Sequence, residues 1–258
     1  MLATELNLVS AKKKIIAFIK RKVDESDAEG GVIGLSGGID SAVTAYLSVE
    51  ALGSRRVMGL IMPDLRATPE KDVSDAKMVA SELGVESKEI DIAPIHKAFM
   101  KTLHENRLAE GNLRARIRMS LLYYHANMMN RLVLGTGDRS EAQLGYFTKY
   151  GDGGVDILPI GDLYKTEVRR LGETLGINRR IIAKRSSPRL WPGHIAESEI
   201  GMEYELVDRI FKMKFEEGRD AKDIASELKL SKAKLDVIIG KYEASEHKRR
   251  MPEICKLR

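Results

Sequence analysis

The chain has 258 residues, 43% of them hydrophobic and 31% charged, a balance that excludes wholesale disorder and allows a sizeable core. No apolar run reaches bilayer length, Cys255 is the only cysteine and so excludes an intrachain disulfide, and the five histidines lack zinc-site spacing. A soluble, intracellular and cytoplasmic protein is expected, and its net charge of +5 suits anionic partners.

In chain order, residues 11–23 predict an amphipathic helix with Ile15, Ile19 and Val23 on one face. After Gly30 and Gly31, Val32-Ile33-Gly34-Leu35 suits a buried parallel strand. Ala42 to Leu47 begins a helix that Gly53 can end, and Val57 to Met62 predicts a second strand closed by Pro63. Pro69 opens a helix to about Leu83, stopped by Gly84, and Glu86 to Ile92 predicts a third strand. Pro94 to Leu108 and Leu113 to Asn130 read as two helices separated by Gly111. Leu132-Val133-Leu134 is another strand, and Asp162 is expected to start a helix carrying Tyr164, Val168, Leu171 and Leu175.

From about residue 200 only helical patterns remain, over 203–217, 220–229 and 231–247. The last carries Leu235, Ile238, Ile239 and Tyr242 as one apolar stripe. The alternation predicts an α/β protein, an open and mainly parallel twisted sheet with helices on both faces. It is read as one domain over 1–258, with a helical C-terminal part over about 200–258.

Ser36-Gly37-Gly38-Ile39-Asp40-Ser41 falls where the first strand hands over to a helix. Glycines let the backbone approach a phosphate closely, and unpaired amides at a helix start point at it. Ser36 and Ser41 add hydroxyl donors, and Asp40 can hold a magnesium ion. No G-K-[ST] follows, so this is not a Walker loop, and the dinucleotide fingerprint is absent too. The competing reading is a glycine turn without a ligand; the full hexapeptide, in register with strand and helix, weighs against it. The hexapeptide resembles the loop of the ATP pyrophosphatases, which include NAD, GMP and asparagine synthetases and tRNA-modifying enzymes. It supports adenylation with release of pyrophosphate and leaves the substrate open.

Four further stretches narrow the substrate: Gly111-Asn112-Leu113-Arg114-Ala115-Arg116-Ile117-Arg118-Met119, Gly135-Thr136-Gly137-Asp138-Arg139-Ser140-Glu141, Phe147-Thr148-Lys149-Tyr150-Gly151-Asp152-Gly153-Gly154-Val155-Asp156, and Leu158-Pro159-Ile160-Gly161-Asp162-Leu163-Tyr164-Lys165. Together they resemble the ammonia-dependent NAD synthetases, from the first strand to the C-terminal helix. The resemblance implies a Rossmann-like pyrophosphatase fold with ATP along Gly34, Leu35, Ser36, Gly37, Gly38, Ile39, Asp40 and Ser41. Thr136, Lys165 and Ser187 match further ATP contacts, and Asp40 and Glu141 match the magnesium ligands. Arg116, Lys149, Asp156, His247 and Lys248 match positions that hold deamido-NAD. Asp40 and Lys165 are the expected catalytic pair, with magnesium and Lys165 offsetting charge on the departing pyrophosphate.

Read without that resemblance, these residues have plainer roles. Arg114, Arg116 and Arg118 suit a solvated basic face, and alternate spacing spreads them around a helix, so only Arg116 is assigned to substrate. Glu141 suits a helix first turn, Lys165 a surface, and His247-Lys248 a charged tail. The stretch from Ser186 to Glu199 fits the family's mobile loop loosely, with Ala196 and Ser198 among its acids. Its Gly, Pro and Ser content predicts a lid over ATP within 184–200.

The resemblance also implies the reaction: the nicotinate carboxylate of deamido-NAD attacks the α-phosphorus of ATP, and ammonia then displaces AMP from the acyl adenylate. Glutamine-dependent relatives carry an amidase domain with a catalytic cysteine, for which this chain has neither room nor residue, so free ammonia is expected. A homodimer that shares the dinucleotide site is expected as well, with no nucleic-acid or membrane partner. Two other readings remain: a tRNA-modifying pyrophosphatase, disfavoured by the missing paired cysteines, and a non-catalytic nucleotide sensor, disfavoured by Asp40 and Glu141 together.

Overall fold

A strand without charged side chains belongs inside a parallel sheet. Gly30–Gly34 (β1) accordingly runs between Val57–Ile61 (β2) and, across its other edge, Arg131–Leu134 (β4), parallel to both. Glu86–Glu89 (β3), exposed throughout and rich in charge, forms the outer edge in the order β3-β2-β1-β4. Charge on an edge strand blocks pairing with another chain. In the computed structural model, which describes residues 6–191 and 193–257, every strand points its carboxyl end to the same rim.

The helices follow in chain order as Leu8–Glu25 (α1), Ile39–Leu52 (α2), Glu70–Glu82 (α3), Ala93–Met100 (α4), Arg107–Met128 (α5), Arg139–Leu144 (α6) and Lys165–Thr174 (α7). Arg179–Ile182 (α8), Ala196–Ile200 (α9), Tyr204–Phe211 (α10), Ala221–Glu227 (α11), Lys232–Ala244 (α12) and Glu246–Arg249 (α13) complete them. One face of the sheet packs on α1, α2, α3 and α7 through Ile19, Ile33, Val43, Leu47, Val79 and Leu171. The opposite face buries Val32, Leu60, Ile92 and Val133 beneath Ile117 and Ala126 of α5. The C-terminal helices gather around Tyr204, Phe211, Leu235 and Ile238, and Leu144 and Tyr164 tie that cluster to the strand-bearing part. Of the expected stripe on α12, Leu235 and Ile238 are fully buried, and Ile239 and Tyr242 pack partly against them. Among the described residues, no helix is long and apolar enough to cross a membrane.

Among the element boundaries that differ from the sequence reading, three bear on the site. Gly111 does not separate two helices: the break lies between Met100 and Arg107, where the Asn106 side chain caps α5 by accepting from the Ala109 N–H at 2.9 Å. A glycine inside a helix costs about 1 kcal/mol relative to alanine. Here it admits a neighbour, since a Cβ on Gly111 would lie 3.0 Å from the Leu190 Cβ. The helix expected from Asp162 starts at Lys165, because the Tyr164 N–H is taken by the Glu167 carboxylate at 2.9 Å while the Asp162 side chain is 99% exposed beside Arg139. The third strand ends at Glu89 rather than Ile92, although Ile90 N–H and Ile92 N–H still bond the carbonyls of Ile61 and Pro63.

The segment after α8 crosses from α3 to α5 and seats Leu190 and Trp191 on Gly111; Pro192 within it lies outside the described residues. Replacing Gly111→Leu should keep the unfolding midpoint at or above that of the unmodified protein, because leucine favours helix, yet displace Leu190 and Trp191. Limited trypsin digestion should then cut after Lys184, Arg185 or Arg189 faster than in the parent, and equal rates would show that this contact does not hold the segment.

Candidate active site

The turn after β1 is set by Gly37, whose φ of +73° suits glycine and whose Cβ, if present, would lie 2.2 Å from the Asp72 carbonyl oxygen. Gly38 precedes α2, and the first helical bond runs from Ala42 N–H to Gly38 O at 3.2 Å. The amides of Ile39, Asp40 and Ser41 therefore come before any carbonyl that the helix can offer them, and they face the rim. Ser41 braces the turn: its hydroxyl donates to Gly38 O at 3.0 Å and accepts the Ser36 N–H at 3.2 Å. The Ser36 and Ser41 hydroxyl oxygens lie 3.1 Å apart.

Beside this loop stands a fully buried lysine. Lys165, the first residue of α7, holds its Nζ 2.8 Å from Asp40 Oδ2, 2.8 Å from Asp138 Oδ2 and 2.9 Å from Glu141 Oε1. The ring of Tyr204 lies 5.2 Å away and closes the site from the C-terminal helices. Burial alone would lower the Lys165 pKa; Asp138, Asp40 and Glu141 outweigh it and hold the ammonium well above its usual value. Burial pushes the carboxyl of Asp138 up to about 6 and that of Glu141 up to about 8, with Lys165 pulling both back.

One ammonium facing three carboxylates leaves an excess of negative charge. In addition, Asp40 Oδ1 is buried with no hydrogen-bond partner among the described residues. Hard oxygen donors, surplus negative charge and an open lone pair fit a divalent cation of the magnesium type at Asp40 and Glu141.

Several elements hold this cluster in place. Asp138 caps α6 by accepting the Glu141 N–H at 2.8 Å, while Glu141 Oε2 takes the Asp138 N–H at 3.4 Å. Asp208 of α10 accepts from the Ser140 hydroxyl at 2.5 Å and from the Thr166 N–H at 2.9 Å. The Ser140 oxygen in turn accepts the Lys165 N–H at 2.8 Å, so α10 fixes the starts of both α6 and α7.

The rim opens into a cleft of about 450 Å³ lined by the loop, Met62, Thr136, Arg118 and the lid segment. Within the lid, Trp191 stacks on His194 at 3.6 Å with its ring under Arg107 at 4.5 Å. His194 Nε2 lies 2.6 Å from Glu199 and 3.0 Å from the Tyr146 hydroxyl, and the Ser187 hydroxyl donates to the His194 carbonyl.

Of the expected ATP residues, Gly34, Leu35, Ser36, Gly38, Ile39, Asp40, Ser41, Thr136 and Ser187 line the cleft, as does Glu141. Gly37 forms the back of the turn, and Lys165 lies sealed behind the carboxylates. Of the expected dinucleotide residues only Lys248 reaches the cleft, donating to the carbonyls of Gly145 and Phe147 at 2.8 and 2.9 Å. The others lie outside it. Arg116 is exposed and donates to Lys149 O at 3.3 Å, and Lys149 Nζ donates to His247 O at 2.8 Å. Asp156, also exposed, accepts from Val133 N–H at 2.7 Å and from the Tyr123 hydroxyl at 3.0 Å.

The α5 arginine that faces the cleft is Arg118, bonded to Met62 O at 2.9 Å, whereas Arg114 pairs with the buried Asp64 at 2.8 Å. Sequence reasoning also missed Asp138, Lys184, Asp72 and Asp75. Asp138 announces itself only as the cap in D-x-x-E, and Lys184 meets its acids across more than a hundred residues.

The profile of a family described as NAD synthase matches residues 11–252. The chain is similar to the NH(3)-dependent NAD(+) synthetase of Hyperthermus butylicus, with 51% identity over 96% of this chain and 91% of that protein. The Archaeoglobus fulgidus protein of the same name is 50% identical over 98% and 99% of the two chains. Among solved structures, the NMN synthetase from Francisella tularensis superposes with a TM-score of 0.86 at 33% identity, covering 98% of this chain and 100% of that one. The NH3-dependent NAD synthetase from Campylobacter jejuni, in complex with nitrate, gives 0.82 at 33% identity over 97% and 100%.

Lys165→Met would leave three carboxylates facing one another, and removing one partner of a buried pair costs about 3–5 kcal/mol. The sign of its pH dependence follows from the raised acids. A carboxyl whose folded-state pKa exceeds its unfolded value makes the fold more stable as pH falls through that window, here from about 8 toward 4.5 for Glu141. Urea unfolding of Lys165→Met should therefore show a large deficit near pH 8 that shrinks by pH 6; a deficit equal at both would exclude carboxylate repulsion as its cause.

Proposed function

This chain belongs to the NAD synthase family, and we propose that the cleft described above is where it makes NAD from deamido-NAD, ATP and ammonia. It is an ammonia-dependent ligase of NAD biosynthesis. The observation that carries the assignment of the cleft is the buried Lys165 beside the glycine loop, braced by Asp40, Asp138 and Glu141.

The loop amides of Ile39 to Ser41 and the Ser36 hydroxyl receive the β- and γ-phosphates, while the Ser41 hydroxyl braces the turn through Gly38 O. Thr136 and Ser187 add contacts to the nucleotide from the other walls of the cleft. Magnesium bound by Asp40 and Glu141 would neutralise charge on the pyrophosphate as it leaves. Lys165 keeps those two carboxylates at fixed positions and adds positive potential behind them. An oxygen of the nicotinate carboxylate attacks the α-phosphorus, and the bond to pyrophosphate breaks. Ammonia then attacks the acyl carbon, loses a proton and expels AMP. The lid walls the cleft with Leu190 and Trp191 and keeps water from the adenylate. Cys255, exposed near the C-terminus, takes no part.

Arg116, Lys149, Asp156 and His247 occupy the outer surface, where Tyr124 and Met128 of α5 are 65% and 64% exposed. A second copy laid on this surface would cover the apolar side chains and bring the dinucleotide residues of one subunit to the cleft of the other. We therefore read the protein as a cytoplasmic homodimer whose deamido-NAD site is completed by its partner. Sedimentation should give twice the chain mass, and full activity in a monomeric species would remove this part of the reading.

Incubation with ATP, magnesium, ammonium and deamido-NAD should yield NAD, AMP and pyrophosphate in equal amounts, with no AMP when deamido-NAD is left out. A parallel arm with the deamidated mononucleotide distinguishes the activity in the name of the Francisella protein. Asp40→Asn should lower turnover by about 10²-fold or more, the scale of losing one preorganised electrostatic group. Its melting temperature should not fall, since the change removes one of the surplus negative charges; near-normal turnover would refute the role given to Asp40.

A further inference from the structure

Lys184, at the root of the lid, makes three bonds with its one ammonium group. Its Nζ donates to Gly37 O at 2.7 Å, to Asp72 Oδ1 at 2.8 Å and to Asp75 Oδ2 at 2.5 Å. The two acids sit one turn apart on α3 and are almost wholly buried. Their remaining oxygens take Arg189 Nε and Arg180 Nη2, each at 2.6 Å. Four carboxylate oxygens thus meet three cations from α8 and the lid, and only Lys184 extends onward to the phosphate loop.

We infer that Lys184 is a positioning residue for ATP: it fixes the Gly37–Gly38 peptide so that the Gly38 N–H faces the inside of the phosphate loop. A trans peptide points its C=O and N–H in opposite directions, so holding the Gly37 oxygen toward the α3 acids turns the Gly38 N–H away from them. That N–H donates to the Ser36 hydroxyl oxygen in the cleft wall at 3.3 Å. A Gly-Gly peptide needs such a hold, because glycine on both sides lets the plane rotate at little steric cost. Rotated by half a turn, it would give up its bond to Ser36 and turn a carbonyl oxygen toward the phosphate site. Asp72 and Asp75 anchor the ammonium to α3, so the loop takes its binding shape only while the lid root is docked there.

This inference rests on the ATP reading of the same loop. The two fail differently: a parent protein that forms no NAD or AMP strikes that reading, whereas an active parent with insensitive Lys184 variants strikes this one. In Lys184→Met the KM for ATP should rise about tenfold, the scale of one charge-assisted hydrogen bond, while the KM values for deamido-NAD and ammonium stay within about twofold. Lys184→Arg, which can keep the acids and reach the carbonyl, should recover part of the loss.

Asp75→Asn serves as the second variant and the substitute if Lys184→Met does not fold, since Asp75 is buried and does not line the cleft. Loosening the ammonium there should raise the ATP KM. Were Lys184 instead a direct phosphate ligand, the same change would free it for phosphate and lower that KM. A fall or no change in Asp75→Asn, an unchanged ATP KM in Lys184→Met, or a rise in all three KM values in step with lost thermal stability would each overturn the inference.

Discussion

The Lys165 ammonium, sealed from water among Asp40, Asp138 and Glu141, is the constraint on which the rest of the molecule depends. A buried charge is tolerated only where partners and hydrogen bonds replace its hydration, and here they come from distant parts of the chain. Asp40 arrives with α2, Asp138 and Glu141 with the cap of α6, and Tyr204 with α10. The cluster therefore exists only when the parallel sheet and the C-terminal helices have both formed and docked. The same arrangement is charged against itself. Three acids around one base leave a standing demand for positive charge at the edge of the cleft, the sign that a nucleotide-bound metal supplies.

A second polar cluster, built from Asp72, Asp75 and three cations, meets the glycine loop at Gly37. The loop is held between the two. On one side Asp40 reaches toward Lys165; on the other the Gly37 carbonyl receives Lys184. A hexapeptide without a rigid residue thereby gains a defined shape from groups outside it. Preorganised donors of this kind stabilise developing charge without rearranging as it develops.

Much of the architecture was legible in the sequence, and the reasons are local. Apolar runs bounded by glycine and proline mark β1, β2 and β4, and the hexapeptide marks the turn from β1 to α2 because its shape is carried by its own backbone. Gly111 was misread because a glycine at a helix end and one that admits Leu190 look the same in one dimension. Asp162 misled for a related reason: it offers a cap that the structure leaves exposed in favour of the Tyr164–Glu167 pair. At the site, residue type and the family resemblance singled out Asp40, Glu141 and Lys165. Asp138 was hidden behind its role as a cap. Lys184 was hidden because nothing local distinguishes a lysine bound to buried acids from one in solvent. Arg116, Lys149 and His247 are bonded to one another, and they and Asp156 lie outside the cleft, which no spacing along the chain could have shown.

Trp191 is the only tryptophan in the chain, and it sits in the lid, face to face with His194 at 3.6 Å and covered by Arg107. All indole emission from the chain thus originates in the segment that walls the cleft. The stacked imidazole and the guanidinium set the polarity around the excited ring, and both contacts belong to the docked lid. The protein carries a native optical reporter of those contacts, so any displacement of this segment can be followed by intrinsic fluorescence, without a label and without a second indole to subtract.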